Sequence, residues 1–267
     1  MSHIIQNKPL RVFLILGGIF ITNALVAEFI GVKIFSLEKT FGFEPFNITL
    51  FGESGLGFNL SAGVLLWPVV FILTDIINEY YGKKGVRFLS IMTAGLIAYA
   101  FVMLFMTIRL DPADFWPTSH IPLEADEATI AAITEKVGDY NYAYKLVLGQ
   151  GMWIIVASLI AFLVGQLVDV FVFHKLKSKT GESKIWLRAT GSTLVSQFID
   201  SFVVLFIAFY IGAGWSLVTV LAIGCVNYAY KFLIAVLVTP LIYLAHNIID
   251  EYLGEEVARE LKEKAAI

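Results

Sequence analysis

Apolar residues dominate this chain in blocks separated by short polar stretches. Crossing about 30 Å of hydrocarbon at 1.5 Å per residue takes roughly 20 residues, and six blocks reach that length. They run approximately from Leu10 to Ile30, Leu60 to Tyr80, Val86 to Ile108, Leu146 to Phe173, Leu187 to Ile211 and Ser216 to Ala245. The pattern predicts an all-α, polytopic membrane protein: a bundle of six transmembrane helices in a single domain over residues 1–267, with no soluble domain outside the spans. Lys8 and Arg11 ahead of an apolar run have the layout of a signal peptide. Such a run normally covers about 7–15 residues; this one is longer, so it is expected to stay as the first span.

The segments between the blocks carry weaker patterns. Phe46 to Phe51 alternates and is flanked by Gly42, Gly52, Gly55 and Gly57, which predicts a short outer hairpin. The acidic stretch from Leu110 to Lys145 holds Ile130, Ile133 and Val137 at helical spacing, the mark of a short amphipathic helix. Residues 248–267 mix both charge signs and predict a cytoplasmic helix. Lys and Arg are retained on the cytoplasmic side. They crowd into the N-terminus, the Lys83–Arg87 turn, the Lys175–Arg188 turn and the C-terminus. Both termini are therefore expected in the cytoplasm.

Composition agrees with lipid as the solvent: 58% hydrophobic, 15% charged and a mean hydropathy of +0.79. A net charge of −3, from 19 basic and 22 acidic residues, offers no basic excess for a nucleic-acid partner. The single cysteine, Cys225, permits no intramolecular disulfide. No histidines stand at metal-ligand spacing, and neither a nucleophile elbow nor a phosphate loop is present. The expectation is a protein with no metal, no cofactor and no enzymatic activity.

Ionisable groups at membrane depth are costly unless paired or hydrated, so each one needs a partner or a role. On the second span Asp75, Asn78 and Glu79 stand at i, i+3 and i+4, on one helix face. Gln166 and Asp169 repeat that spacing on the fourth span, and the two faces are placed to meet. Nearer the midplane lie Asn23, Gln197, Asp200, Asn227 and Lys231. Asp200 is the expected counter-ion of Lys231, with Glu28 the alternative. Polar groups in spans also serve as bonds between helices, and a Lys–Asp pair can be a structural staple. Pro68 and Pro240 are expected to kink their spans. Trp67, Phe71, Tyr228 and Tyr230 are candidates to stack on a flat ligand.

The stretch from Ser61 through Trp67-Pro68 to Thr74-Asp75-Ile76-Ile77-Asn78-Glu79-Tyr80-Tyr81-Gly82-Lys83-Lys84, with Arg87 after it, resembles the signature of the queuosine precursor transporters, also called the vitamin uptake transporter family. The likeness continues in Ala161 to Lys175, in Ser192 to Asp200, in Lys231 and in Thr239 to Tyr243. Its most specific pieces are D-x-x-N-E-x-Y-G at Asp75–Gly82 and S-Q-x-x-D at Ser196–Asp200; the outer stretch 110–145 has no counterpart in it. The resemblance implies a bacterial inner-membrane transporter importing 7-cyano- or 7-aminomethyl-7-deazaguanine for salvage into tRNA queuosine.

A deazaguanine offers N–H donors along one edge beside a carbonyl acceptor. A buried carboxylate with an amide or ammonium can bind that edge while an aromatic ring covers the face. The substrate-binding candidates are Asn23, Glu28, Trp67, Asp75, Asn78, Glu79, Gln197, Asp200, Asn227 and Lys231, with Gln166 and Asp169 secondary. Alternating access is the expected mechanism. The alternative is a substrate-binding membrane subunit for a vitamin or nucleobase, energised by a separate ATP-hydrolysing module. The partners are then the small molecule and the bilayer, and a homodimer is a candidate assembly.

Overall fold

The computed structural model describes residues 6–149, 152–180 and 184–265. Helix α1, Lys8–Ile30, starts where the Asn7 side chain accepts the Leu10 N–H at 3.0 Å, with a proline in its first turn. Its Phe20, Ala24 and Ala27 face inward, while Leu14, Ile15, Ile19 and Val26 point outward, as a helix bathed in lipid requires.

The following segment is two nested antiparallel ladders. Strand β1, Ile34–Ser36, pairs with β4, Asn59–Ser61, in the register Phe35 to Leu60. The one-turn helix α2, Leu37–Thr40, and the hairpin of β2, Ile48–Leu50, with β3, Glu53–Leu56, lie between them. Phe51 (φ 52°) and Gly52 (φ 88°) form its two-residue turn; left-handed residues there match the twist of the strands.

Helix α3 is recorded as a continuous run, Trp67–Thr107, broken at Gly82, whose φ of 65° and ψ of −171° are not helical. The chain reverses there. Thr74 and Ser90, sixteen residues apart, both place their hydroxyls 3.4 Å from Gln166 Oε1, whereas a straight helix would separate them by about 24 Å. The two limbs, 67–81 and 83–107, therefore lie side by side.

The short helices α4, Glu127–Lys136, and α5, Tyr140–Leu148, precede α6, Met152–Thr180. Helix α7, Ile185–Leu205, widens into a π-helical stretch, Phe206–Ile211. Helix α8, Leu217–Leu253, and α9, Glu255–Ala265, complete the chain. Among the described residues five helical stretches are long and apolar enough to cross a membrane: Lys8–Ile30, Trp67–Thr107, one within 127–180, Ile185–Ile211 and Leu217–Leu253. The protein is an all-α polytopic membrane protein. Phe20, Leu73, Ile77, Val86, Leu89 and Phe162 join in one core where α1, both limbs of α3 and α6 meet.

Several expected boundaries move. Residues 146–148, expected at the start of the fourth span, end α5 at the Gly149 cap, and α6 is described from Met152; residues 150 and 151 lie outside the described set. Leu60 belongs to β4, and a 3₁₀ turn, Ala62–Leu65, leads into the second span. Pro68 does not kink that span. It sits in the first turn of α3, where a missing N–H costs no hydrogen bond, whereas Pro240 lies within α8. Residues 248–253 continue α8, and the separate terminal helix starts only at Glu255 because Gly254, at φ 90°, breaks the run. Residues 266 and 267 of that expected helix lie outside the described set.

Candidate functional site

A cavity holding about 460 Å³ of empty space, its open mouth included, lies between the first limb of α3, α7 and α8. Helical periodicity builds it. Val64, Trp67, Pro68, Phe71, Ile72 and Asp75 recur every three or four residues on one side. Tyr230, Lys231, Ile234, Ala235, Val238 and Ile242 do the same on α8, and Thr190 and Thr193 close the wall from α7. Such spacing aims side chains from successive turns in one direction. The Trp67 and Phe71 rings stack with centroids 6.0 Å apart and planes within 19°, so a flat apolar surface lines the same cavity as Asp75 and Lys231.

Lys231 Nζ donates to Asp200 Oδ2 at 2.6 Å. The pair bridges consecutive helices joined by the short turn before Ser216, and the expected counter-ion is the one found. Glu28, the alternative, instead accepts a hydrogen bond from the Ser158 hydroxyl on α6. Close packing of α6 on α7 frames the pair: a Cβ on Gly165 would stand 3.6 Å from Asp200 Cβ.

A second, deeper layer surrounds Glu79. Arg188 holds its carboxylate from two directions, Nε to Oε2 at 3.1 Å and Nη2 to Oε1 at 2.8 Å, and Lys177 Nζ lies 3.3 Å from Oε1. Arg188 is 0% exposed and Glu79 1%. Asp75 and Asp169 are equally enclosed, on faces that the Thr74–Gln166 contact brings together, with Thr193 lining the cavity alongside Asp75 and Ser196 against Asp169. Ser196 donates to Asp169 Oδ1 at 3.2 Å. Buried polar atoms with no hydrogen-bond partner among the described residues include Asp75 Oδ1, both amide atoms of Asn78, Asp169 Oδ2 and Gln197 Oε1. A concentration of such atoms marks places that water or a ligand satisfies.

Beyond Glu79, Tyr80 donates its hydroxyl to Asp250 Oδ1 at 2.7 Å and lies 3.1 Å from His246 Nδ1, while Lys262 of α9 holds the other Asp250 oxygen at 2.8 Å. The terminal helix is thereby tied to the end of the first α3 limb.

Of the candidates read from the sequence, Trp67, Asp75 and Lys231 line the cavity, and Asp200 reaches it through Lys231. The faces carrying Asp75 and Asp169 do meet, and Gln166 bridges Thr74 and Ser90. Glu79 is occupied by cations, and Asn78, Asp169 and Gln197 are buried away from the lining. Asn23 turns back to donate to the Ile19 carbonyl of its own helix at 2.8 Å, because a short amide in a helix finds that acceptor within reach. Glu28 and the half-buried Asn227 also stand apart from the cavity.

The sequence reading missed Arg188 and Lys177, counted there with the loop charges. A signal was present: Asp169, Phe173 and Lys177 share one face at steps of four, and Arg188 lies inside the fifth apolar block. Among the described residues no group of three or more His, Cys, Asp or Glu side chains is placed to hold a metal ion.

Long apolar helices around a mostly apolar cavity that Asp75 and Lys231 border define a polytopic membrane protein. Residues 61–245 match the family model described as "Putative vitamin uptake transporter", and the chain belongs to that family; it is a transporter and not an enzyme. It is similar to the "Probable queuosine precursor transporter" of Bacillus subtilis, 27% identical over 72% of this chain and 74% of that protein. It is also similar to the protein of the same description in Haemophilus influenzae, at 26% over 79% and 80%. The "Queuosine precursor transporter" of Escherichia coli is 27% identical over 68% of this chain and 70% of its own length. No solved structure gives a significant match.

Proposed function

We propose that this chain imports a 7-deazaguanine queuosine precursor, 7-cyano- or 7-aminomethyl-7-deazaguanine, across the bacterial inner membrane by alternating access. The printed descriptions of its relatives support that substrate class. The observation that carries the reading is the cavity itself, which sets Asp75 and Lys231 against the stacked Trp67–Phe71 pair. A deazaguanine has N–H donors for a carboxylate, a carbonyl for an ammonium and a flat face for an aromatic wall. Lys231 serves the carbonyl while Asp200 fixes its position; Asp75 takes the N–H edge.

Counting the two limbs of α3 separately gives six crossings, with both termini on the cytoplasmic side by the excess of basic residues there. Uptake of labelled base by cells producing the wild-type chain, Asp75→Asn and Lys231→Ala tests the site. The expected result is loss of uptake in both variants at normal membrane levels. Undiminished uptake by both would remove them from it. Transport by the purified chain alone in liposomes separates this reading from a subunit that depends on an ATP-hydrolysing module.

A further inference from the structure

We propose that Asp75 and Asp169 share one proton and form the site through which substrate movement is coupled to proton movement; this rests on the transport reading above. Asp75, on the first limb of α3, lines the cavity. Asp169, on α6, does not. Thr193 borders the cavity with Asp75 and Ser196 bonds Asp169, so both converge on the Ser192–Ser196 turn of α7, Asp75 at 1% and Asp169 at 2% exposure. Each keeps one oxygen, Asp75 Oδ1 and Asp169 Oδ2, with no hydrogen-bond partner among the described residues. A shared proton needs those free lone pairs.

The surrounding charges set the count. Glu79 on the same limb faces Arg188 of α7 and Lys177 of α6. His174 of α6 and His246 of α8 are buried near this layer, and Lys231 of α8, across the cavity, is held by Asp200. Arg188 and Lys177 against Glu79 leave one positive charge. Asp75 and Asp169 holding one proton supply one negative charge, and the layer is then neutral. With no proton it carries a net negative charge in a dry interior, where two adjacent ionised carboxylates cannot persist.

Coupling follows from water. When the empty cavity opens, water reaches Asp75 and the doubly ionised pair is tolerated. A bound base displaces that water, so closing the loaded cavity requires a proton. It binds a carboxylate oxygen from water on one side and returns to water on the other; nothing is oxidised or reduced.

Purified protein in liposomes, with labelled 7-cyano-7-deazaguanine, tests this. For the wild type, an acid exterior is expected to drive accumulation above equilibrium. A protonophore abolishes it, and a trapped pH dye reports internal acidification only when the base is present. Asp169→Asn loses gradient-driven accumulation and substrate-dependent acidification, with counterflow exchange reduced far less. Asp169→Glu, which restores a titrating group, recovers coupling with a displaced pH profile. Accumulation that ignores the protonophore, follows a sodium gradient, or survives in Asp169→Asn overturns the proposal. Absence of counterflow exchange in the wild type is a different failure, of the substrate reading itself. Should Asp169→Asn not exchange at all, infrared titration of the reconstituted protein decides. A carboxylic-acid carbonyl band present in wild type and altered by Asp75→Asn and Asp169→Asn supports the shared proton; a band indifferent to both overturns it.

Discussion

Lys231 Nζ and Asp200 Oδ2 stand 2.6 Å apart, from helices that follow one another in the chain, and the lysine also lines the cavity while the aspartate does not. In the proposed site one residue therefore faces the ligand and the other fixes it. The side chains are 17% and 22% exposed, so the pair is less enclosed than the Glu79 cluster, and in the proposed site the ammonium can exchange partners when a ligand carbonyl arrives.

That arrangement predicts unequal effects. Lys231→Met removes the ligand contact and is expected to abolish uptake. Asp200→Asn leaves the ammonium without its counter-ion and lowers uptake strongly, with a smaller loss of ligand-induced thermal stabilisation than Lys231→Met. Uptake assays with membrane immunoblots, and melting of the purified variants with and without base, measure both. Equal losses of stabilisation would show that Asp200 meets the ligand directly.

The Glu79 cluster predicts a stability effect. Removing one member of a buried pair leaves an uncompensated charge and costs about 3–5 kcal/mol. Glu79→Gln strands two cations and is expected to melt far below wild type in detergent. Because Glu79 and Arg188 act as a unit, Glu79→Gln combined with Arg188→Met should cost less than the sum of the single changes. Additive losses would mean that the two do not depend on one another.

Gly82 carries a backbone prediction. Its φ of 65° and ψ of −171° fall in a region essentially reserved for glycine, where another residue costs about 1–3 kcal/mol. A Cβ there would also stand 2.9 Å from the Ala265 carbonyl oxygen. Gly82→Ala is expected to lower the melting temperature. Shortening the chain before Ala265 should recover only part of the loss, since strain remains after the contact is gone; complete recovery would assign the whole effect to the contact.

The parts of this molecule visible in sequence are those governed by local periodicity. Asp75, Asn78 and Glu79 at i, i+3 and i+4 announce a shared face, and six apolar blocks announce the helices. Lys231 at the centre of a block demands a counter-ion, and Asp200 is the acid at matching depth. What remained hidden depends on where helices end and which neighbours they meet. Lys177 looks like a loop charge until α6 is seen to continue to Thr180. Arg188 looks like a cytoplasmic positive charge until Glu79 meets it from another helix. Asn23 was grouped with the midplane residues by depth alone, and depth says nothing about an amide that bonds to its own helix. The turn was expected among Lys83–Arg87, but the reversal takes a single non-helical residue, Gly82.

Glu38 supplies a prediction in pH. It lies outside the spanning helices, is buried, and accepts hydrogen bonds from the Phe58 N–H at 2.8 Å and the Ser36 hydroxyl at 3.1 Å. Burial pushes its pKa up, but these hydrogen bonds prevail and hold it below the ordinary value of 4.5. A folded value below the unfolded one means that the ionised carboxylate stabilises the fold. That contribution is complete above about pH 4.5 and is lost as pH falls through the lower folded value. The bond to Phe58 joins α2 to the chain just ahead of β4, so acidification in that window should loosen residues 34–61 before the helical bundle. Hydrogen exchange of this segment as a function of pH measures it, and Glu38→Gln should flatten the profile. Gly57→Ala offers an independent check. Its Cβ would sit 2.8 Å from Glu38 Oε1 and push the carboxylate from its donors, so the variant should exchange faster already at neutral pH. If exchange in 34–61 keeps its pH profile in both variants, the carboxylate does not hold the two ladders together.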